Sequence, residues 1–399
     1  MLGCHSSLQK PSNDTPLGEV DGGSAEIEVF DGPDNRSFPY ICEEDTECND
    51  DDLCTGDACV DGKCEYQHKP IGFDPVIVET AEPALDVLFA DGRLFVAEGD
   101  GGVEVFTLND ADPPEFEAVI ETEQPALSVG RIRGYLIVSE GENGIEVFSL
   151  SSLEFHEHMQ ADSNFIRGVD DVRGCQTGPR YTIVSGYADG VLVVDTSDGN
   201  VPLALLPTEG RAMRSASSHS VVVTADALGG AAVIAFNTPD GIAVTDQIPT
   251  NGRALDVDVS LDTAIVAEHG GGFSILDLSD PMNPERLVSY PTGSPVTMAG
   301  LIGAQTALIG EESGRLRLFD LSVQYSGKET KTEDGEVIPK ADAAAPEEID
   351  SWKGKGVPVQ MFIRDGIVAV AMSGGGVAFF DTGCMPTEEP EDSDTATEE

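Results

Sequence analysis

Residues 254–290 read ALDVDVSLDTAIVAEHGGGFSILDLSDPMNPERLVSY. Two alternating or β-branched runs, 254–259 and 263–267, are separated by Ser-Leu-Asp, which marks a turn. Gly270-Gly271-Gly272 follows; glycine reaches positive φ without steric cost, which suits a tight hairpin. Residues 273–276 form a third strand. It ends at Asp277-Leu-Ser-Asp280-Pro281, where aspartates bond nearby backbone and proline cannot extend a ladder. Residues 286–290 make a fourth. Four strands this short bury too little alone, so they must stack on like units.

The chain supplies those units. The polar residue closing the third strand recurs as Thr107, Ser149, Asp195, Asn237, Asp277, Asp320 and Asp381, at intervals of 42, 46, 42, 40, 43 and 61 residues. A period near 40 with four strands per repeat predicts an all-β, seven-bladed β-propeller. No amphipathic helical period recurs, which excludes helical solenoids. Residues 76–80 form a strand with nothing before it to pair with, while the seventh repeat stops at Asp381 without a fourth strand. The first strand therefore completes the last blade, removing two open edges together. The expected propeller runs from 72 to 384. The long sixth interval leaves residues 324–346 as a loop insertion without strand pattern, and 385–399 as a disordered acidic tail.

Ile265-Val-Ala-Glu268 with Gly272-Phe-Ser-Ile-Leu-Asp277, and Gly190-Val-Leu-Val-Val-Asp195-Thr-Ser-Asp198, resemble the LVIVD repeats of bacterial and archaeal surface proteins. The resemblance covers roughly residues 76–382 and implies a propeller at a cell surface. Blades 4 and 6 depart from it, with Ala231-Ala-Val-Ile-Ala-Phe236 and Arg315-Leu-Arg-Leu-Phe319. It implies no catalytic residue. Trp352 is the only tryptophan, so the tryptophan-rich signatures of quinoprotein, sialidase and tryptophan–aspartate propellers are missing.

Ahead of the ring, Met1-Leu2-Gly3-Cys4 resembles the end of a bacterial lipoprotein signal, with Cys4 as the lipidated residue, although the basic and apolar regions expected before it are missing. Residues up to about 40 read as a flexible tether. Cys42, Cys48, Cys54, Cys59 and Cys64 then crowd into residues 41–70. A segment that short has no core of its own, and with no Cys-x-x-Cys for zinc it reads as a disulfide module. Asp50, Asp51, Asp52 and Asp57 are weak calcium candidates, lacking the EF-hand order of ligands; otherwise no cofactor is expected.

The chain carries 73 acidic against 22 basic residues, a net charge of −51. Such a field repels nucleic acid and anionic membranes, so membrane contact is expected only through the lipid anchor. Glu98, Glu140, Glu268 and Glu311 share one repeat position, the end of the second strand, and His269 follows one of them. The linkers reaching the same face carry Arg167, Arg211, Arg214 and Arg253. These nine residues form a candidate ligand-binding face at the channel mouth. The alternative is structural, each glutamate capping its hairpin and pairing with a neighbouring arginine. His156 and His158 alternate on an outer strand and point the same way, as a metal pair would.

These features lead to a non-catalytic, extracytoplasmic binding or adhesion scaffold, monomeric, whose partner is a surface protein or a glycan. The second expectation is a lactonase-like, metal-assisted hydrolase with Glu98, Glu140, Glu268 and His269 around a divalent cation; the third is a structural surface protein adapted to salinity. The cysteines generate the first prediction. The closing strand must start where the last blade's third strand ends, which brings the module beside Cys384. Peptide mapping without reduction should find three disulfides among Cys42, Cys48, Cys54, Cys59, Cys64 and Cys384, with Cys175 free; a Cys384 thiol, or a Cys384–Cys175 bridge, is the contrary result.

Overall fold

A computed structural model describes residues 71–383 apart from 110–111, 161–162, 164, 178–179, 198–199, 219–220, 240, 304, 322–329, 332–336, 339–344 and 365. It also describes Glu44, Cys48 and the paired strands Thr55–Val60 and Lys63–His68. All belong to the unit Pro39–Glu399. Seven four-stranded antiparallel sheets follow one another in sequence. Their innermost strands are Asp86–Ala90, Ser128–Ile132, Gly174–Thr177, Arg214–Ser218, Asp256–Ser260, Val296–Ile302 and Val357–Arg364, in blades 1 to 7. Each packs on the innermost strand of the next, and the last packs on the first, so the blades close into a ring around a channel.

Closure is made by the N-terminal strand. Val76–Val78 pairs antiparallel with Gly376–Asp381, the third strand of blade 7, in the register Val76 to Phe379 and Val78 to Val377. Just ahead of it, the Gly72 N–H donates to the Thr382 carbonyl at 3.0 Å, and Phe73 packs edge-on against Phe380. The approach is so close that a Cβ on Gly72 would stand 2.8 Å from the Asp381 carbonyl oxygen.

The second and third strands are continuous apolar runs, such as Thr263–Ala267 and Val191–Asp195, because both faces of every blade lie against another blade. Seven hydrophobic clusters result, one at each seam. Phe273 and Phe319 meet edge-on at 5.2 Å between blades 5 and 6, both fully buried. The outer strands see solvent on one side, and Val201–Leu206 alternates exposed with half-buried residues. In blades 1 to 6 the outermost ladder slips by one residue at the same place, as between Ile275 and Leu276, which adds twist at the rim.

The glycine that ends each second-to-third-strand turn has a second duty besides positive φ. Gly272 has φ +86°, and a Cβ there would stand 2.0 Å from the carbonyl oxygen of Tyr290 at the end of the outer strand. Gly102, Gly144, Gly190, Gly230 and Gly376 meet the same obstacle in their blades. Gly270 and Gly271 do not take positive φ; His269 does, at +45°.

Within the insertion in blade 6, between its third and fourth strands and expected to have no strands, Thr330–Lys331 pairs with Val337–Ile338. Cys48 and Cys59 are disulfide-bonded, and Cys175 is a buried free thiol. Cys4, Cys42, Cys54, Cys384, Asp50, Asp51, Asp52, the tether and the acidic tail lie outside the described residues, as do the side chains of Cys64 and Asp57.

A chain beginning at Ala84 loses the seal on blade 7, including the buried Val78 side chain and the ladder bonds to Gly376–Asp381. It should be less stable than one beginning at Pro70 by at least about 2 kcal/mol. Equal midpoints in urea for the two chains would mean that this strand does not hold the ring.

Candidate functional site

The four glutamates at the ends of the second strands do not line a surface. Glu98, Glu140, Glu268 and Glu311 are 2, 3, 0 and 4 % exposed. Three of them accept a hydrogen bond from the linker entering their own blade. Glu82 N–H donates to Glu98 Oε2 at 3.1 Å, Gln124 N–H to Glu140 Oε1 at 3.0 Å, and Asn251 N–H to Glu268 Oε2 at 2.7 Å. Asp226 holds the same slot in blade 4 and accepts from Gly210 N–H and the Thr208 hydroxyl, each at 2.6 Å. Glu311 instead accepts from Arg317 at 3.0 Å, inside its own blade. The four glutamates thus act as buried acceptors within the ring, three of them as clamps on linker backbone. Among the described residues no group of three or more His, Cys, Asp or Glu stands where it could hold a metal ion, so Glu98, Glu140, Glu268 and His269 do not converge on a hydrolase centre.

His269 has a backbone duty as well. The residue after the clamp bridges to the next blade's linker, as Gly99 to Ala126, Gly141 to Val172, Tyr187 to Ala212, Ala227 to Ala254 and His269 to Val296. In blades 1, 2, 4 and 5 the turn therefore grips two linkers, its own through a carboxylate and the next through main-chain bonds. The His269 ring stands 4.0 Å from Glu312, itself exposed. His156 stacks on Tyr135 at 4.8 Å, whereas His158 lies 3.6 Å from Glu140 and hydrogen-bonds with the Asn143 carbonyl at 2.8 Å, so the two histidines share no ligand geometry.

The arginines separate. Arg214 turns into the channel. Its guanidinium crosses from blade 4 to blade 1, 3.5 Å from Asp86, with Nη2 donating to the Leu85 carbonyl at 3.3 Å and Nε 4.0 Å from Asp256 of blade 5. Arg167, Arg211 and Arg253 stay exposed. Arg211 donates to the Tyr187 hydroxyl at 2.8 Å and lies over the same ring, as does Arg173, with ring-centroid distances of 4.9 and 4.7 Å.

The channel aspartates were missed by sequence reasoning. Asp86 Oδ2 accepts from Val129 N–H at 3.1 Å, Asp256 Oδ2 from Ala299 N–H at 3.1 Å, and Asp258 Oδ2 from Leu301 N–H at 2.8 Å. Each reaches the free edge of the next blade's innermost strand, where N–H groups have no ladder partner. Burial raises all three carboxyl pKa values, Asp256 to about 7, against the pull of Arg214 on Asp86 and Asp256. The available signal was an aspartate at alternate positions, Asp256 and Asp258, inside an otherwise apolar strand. Burial also pushes the Cys175 thiol up to about 12, which makes it inert.

Two clamps carry a second buried acid six residues on. Burial, reinforced by Glu104, lifts Glu98 to about 8; burial and Glu146 lift Glu140 to about 7. Glu98 Oε1 and Glu104 Oε2 are both buried without a donor, so one proton shared between them satisfies both. Blade 6 has Arg317 at that position, which converts the pair into an ion pair.

The fold and geometry define the class: a seven-bladed β-propeller. Two solved rings are similar to it. One is described as the structure of U3-55K and the other as the crystal structure of RRP9 WD40 repeats; each has a TM-score of 0.56 at 12 % identity. Both comparisons cover 78 % of this chain, with 100 % and 98 % of the other chains respectively. At that identity they show the fold. No family model and no curated protein sequence matches the chain.

Because Glu98 and Glu140 hold protons in the folded protein that they lose unfolded, the native state binds more protons between the unfolded value of 4.5 and about 8. Stability should therefore fall as pH rises through that window and level off above it. Replacing Glu104 and Glu146 by Gln removes the repulsion, and the melting temperature should drop less between pH 5 and pH 8 than in the wild type. Parallel profiles would show that the pairs do not couple to folding.

Proposed function

We propose that this propeller is a non-catalytic interaction platform at an extracytoplasmic surface, held there by a lipid on Cys4, and that its working face is the one reached by the inter-blade linkers. The likeness to LVIVD repeats and the crowded cysteines support the location; the class of the ring, shared with WD40 propellers, supports protein binding. A rigid ring with loops of independent sequence is suited to recognition.

One observation carries the choice of face. At two adjacent seams an exposed arginine sits beside a turn side chain, half-buried Tyr187 at one and exposed Leu228 at the other. Tyr187 is bridged to Ala212, next to Arg211, and Ala227, followed by the 84 % exposed Leu228, is bridged to Ala254, next to Arg253. Arg167 and Arg173 extend this arc along the linker into blade 3. Arg167 and Arg253 have no acidic partner among the described residues, in a chain with more than three acids for every base. Arg167 and Arg253, without acidic partners on an arc that also carries Tyr187, Arg211 and a bare leucine, fit an acidic protein segment with an apolar anchor. The occupant is a protein whose acidic stretch complements this arc; calcium is not needed for the contact.

The test reverses Arg167, Arg211 and Arg253 to Glu in the full chain and compares it with wild type against a panel of purified surface proteins from the same cell. A partner bound by wild type should be lost by at least about tenfold in Kd, at unchanged melting temperature, with binding weakened by salt. Partners retained by the variant, or equal binding after adding a chelator to one and calcium to the other with no arginine dependence, would reject this face.

A further inference from the structure

The axial channel is a feature that the platform does not use. Its cavity of about 930 Å³ lies along the innermost strands, in the range of small-molecule sites. At the linker-face end it is crossed by the Arg214–Asp86–Asp256 tie. At the other end its lining includes Arg131 and Arg364, late on the innermost strands of blades 2 and 7, and Arg133 in the following turn. It forms a well, crossed by that tie at one end and, among the described residues, lined by arginines at the other.

Three facts mark the well as built to receive something. Arg131 has no acidic partner among the described residues, despite the large excess of acids. Arg133 donates through Nη2 to the carbonyls of Thr196 and Ser197, at 2.5 and 2.7 Å, which fixes its plane and leaves donors on its other nitrogens. Deeper in, the amide oxygens of Gln176 and Gln360 and Oδ1 of Asp256 are buried without a hydrogen-bond donor, and all three residues line the cavity. Asp256 is only 2 % exposed. Unpaired buried acceptors cost stability unless a donor reaches them. The wall thus asks for donors inside and an anion at the mouth.

We propose that the well binds a small hydroxylated acid, with its anionic group held by Arg131 and Arg133 and its hydroxyl groups donating to Gln176, Gln360 and Asp256. Guanidinium groups match carboxylate and phosphate oxygens, and the shared chemistry is an oxyanion on a polyol chain. This site is separate from the protein-binding arc, which lies on the opposite face.

Titration calorimetry on the full chain tests it with three probes: inorganic phosphate, gluconate and 6-phosphogluconate. The last carries both halves of the expected ligand; it should bind once per chain and at least roughly tenfold tighter than either fragment. Arg131→Gln should weaken phosphate and 6-phosphogluconate by about tenfold. Gln176→Leu should weaken gluconate and 6-phosphogluconate while leaving phosphate unchanged. Arg167→Gln, on the other face, should change none of them. If Arg131→Gln fails to fold, Arg131→Lys, which keeps the charge and loses the guanidinium fork, serves for the mouth. Wild-type protein that binds none of the probes saturably, or binding indifferent to both Arg131 changes, overturns the well without touching the platform.

Discussion

The ring depends on partners for the backbone groups left over where one blade meets the next. A β-sheet satisfies its interior, but each blade also presents a free edge to the channel and hands its chain to the next blade through a linker with no ladder of its own. Those donors sit in a dry interior, and an unpaired buried N–H costs on the order of 1–3 kcal/mol. Here carboxylates meet much of this need. Glu98, Glu140, Asp226 and Glu268 hold the linkers, and Asp86, Asp256 and Asp258 hold the channel edge.

Acids used as internal acceptors explain part of an unusual composition. Among the described residues several buried acids are anchored by specific donors. Their placement has an electrostatic cost, because burial favours the protonated form. Blade 6 relieves it with Arg317, and the channel with Arg214. Blades 1 and 2 place a second glutamate beside the first and rely on a shared proton. The hydrophobic seams, one cluster between each pair of blades, supply the cohesion that allows such strain.

The same architecture leaves two places where charge is not consumed by folding. On the linker face, the bridge residue of each turn lies beside the next linker, so a turn side chain and an arginine come together at the seams into blades 4 and 5. In the channel, the innermost strands converge only as closely as their side chains permit. Gly130 lets the inner strand of blade 2 approach that of blade 3, a Cβ there standing 2.6 Å from the Cys175 carbonyl oxygen, and the well lies between such strands. Both sites follow from how linkers and inner strands are held, and neither requires any departure from the blade plan.

Much of the fold was legible in the chain itself. A 40-residue period, four short runs per period and an orphan strand at 76–80 are local facts, and strand pairing leaves few ways to satisfy them; blade number and closure followed. The clamp position was legible too, since Glu98, Glu140, Glu268 and Glu311 recur in register. Its meaning was not. Whether a glutamate at a turn faces water or a neighbouring linker depends on residues some sixteen positions away, as for Gln124 and Glu140, and on how deeply the next blade covers it. Arg214 shows the same limit: it sits among the linker arginines in sequence, yet its partner Asp86 is on the far side of the ring, 128 residues earlier. Sequence determined the repeat and its closure because these rest on local pattern and chain continuity. Only the tertiary structure decided which charges are buried, paired or left free, because that depends on distances between segments the chain brings together last.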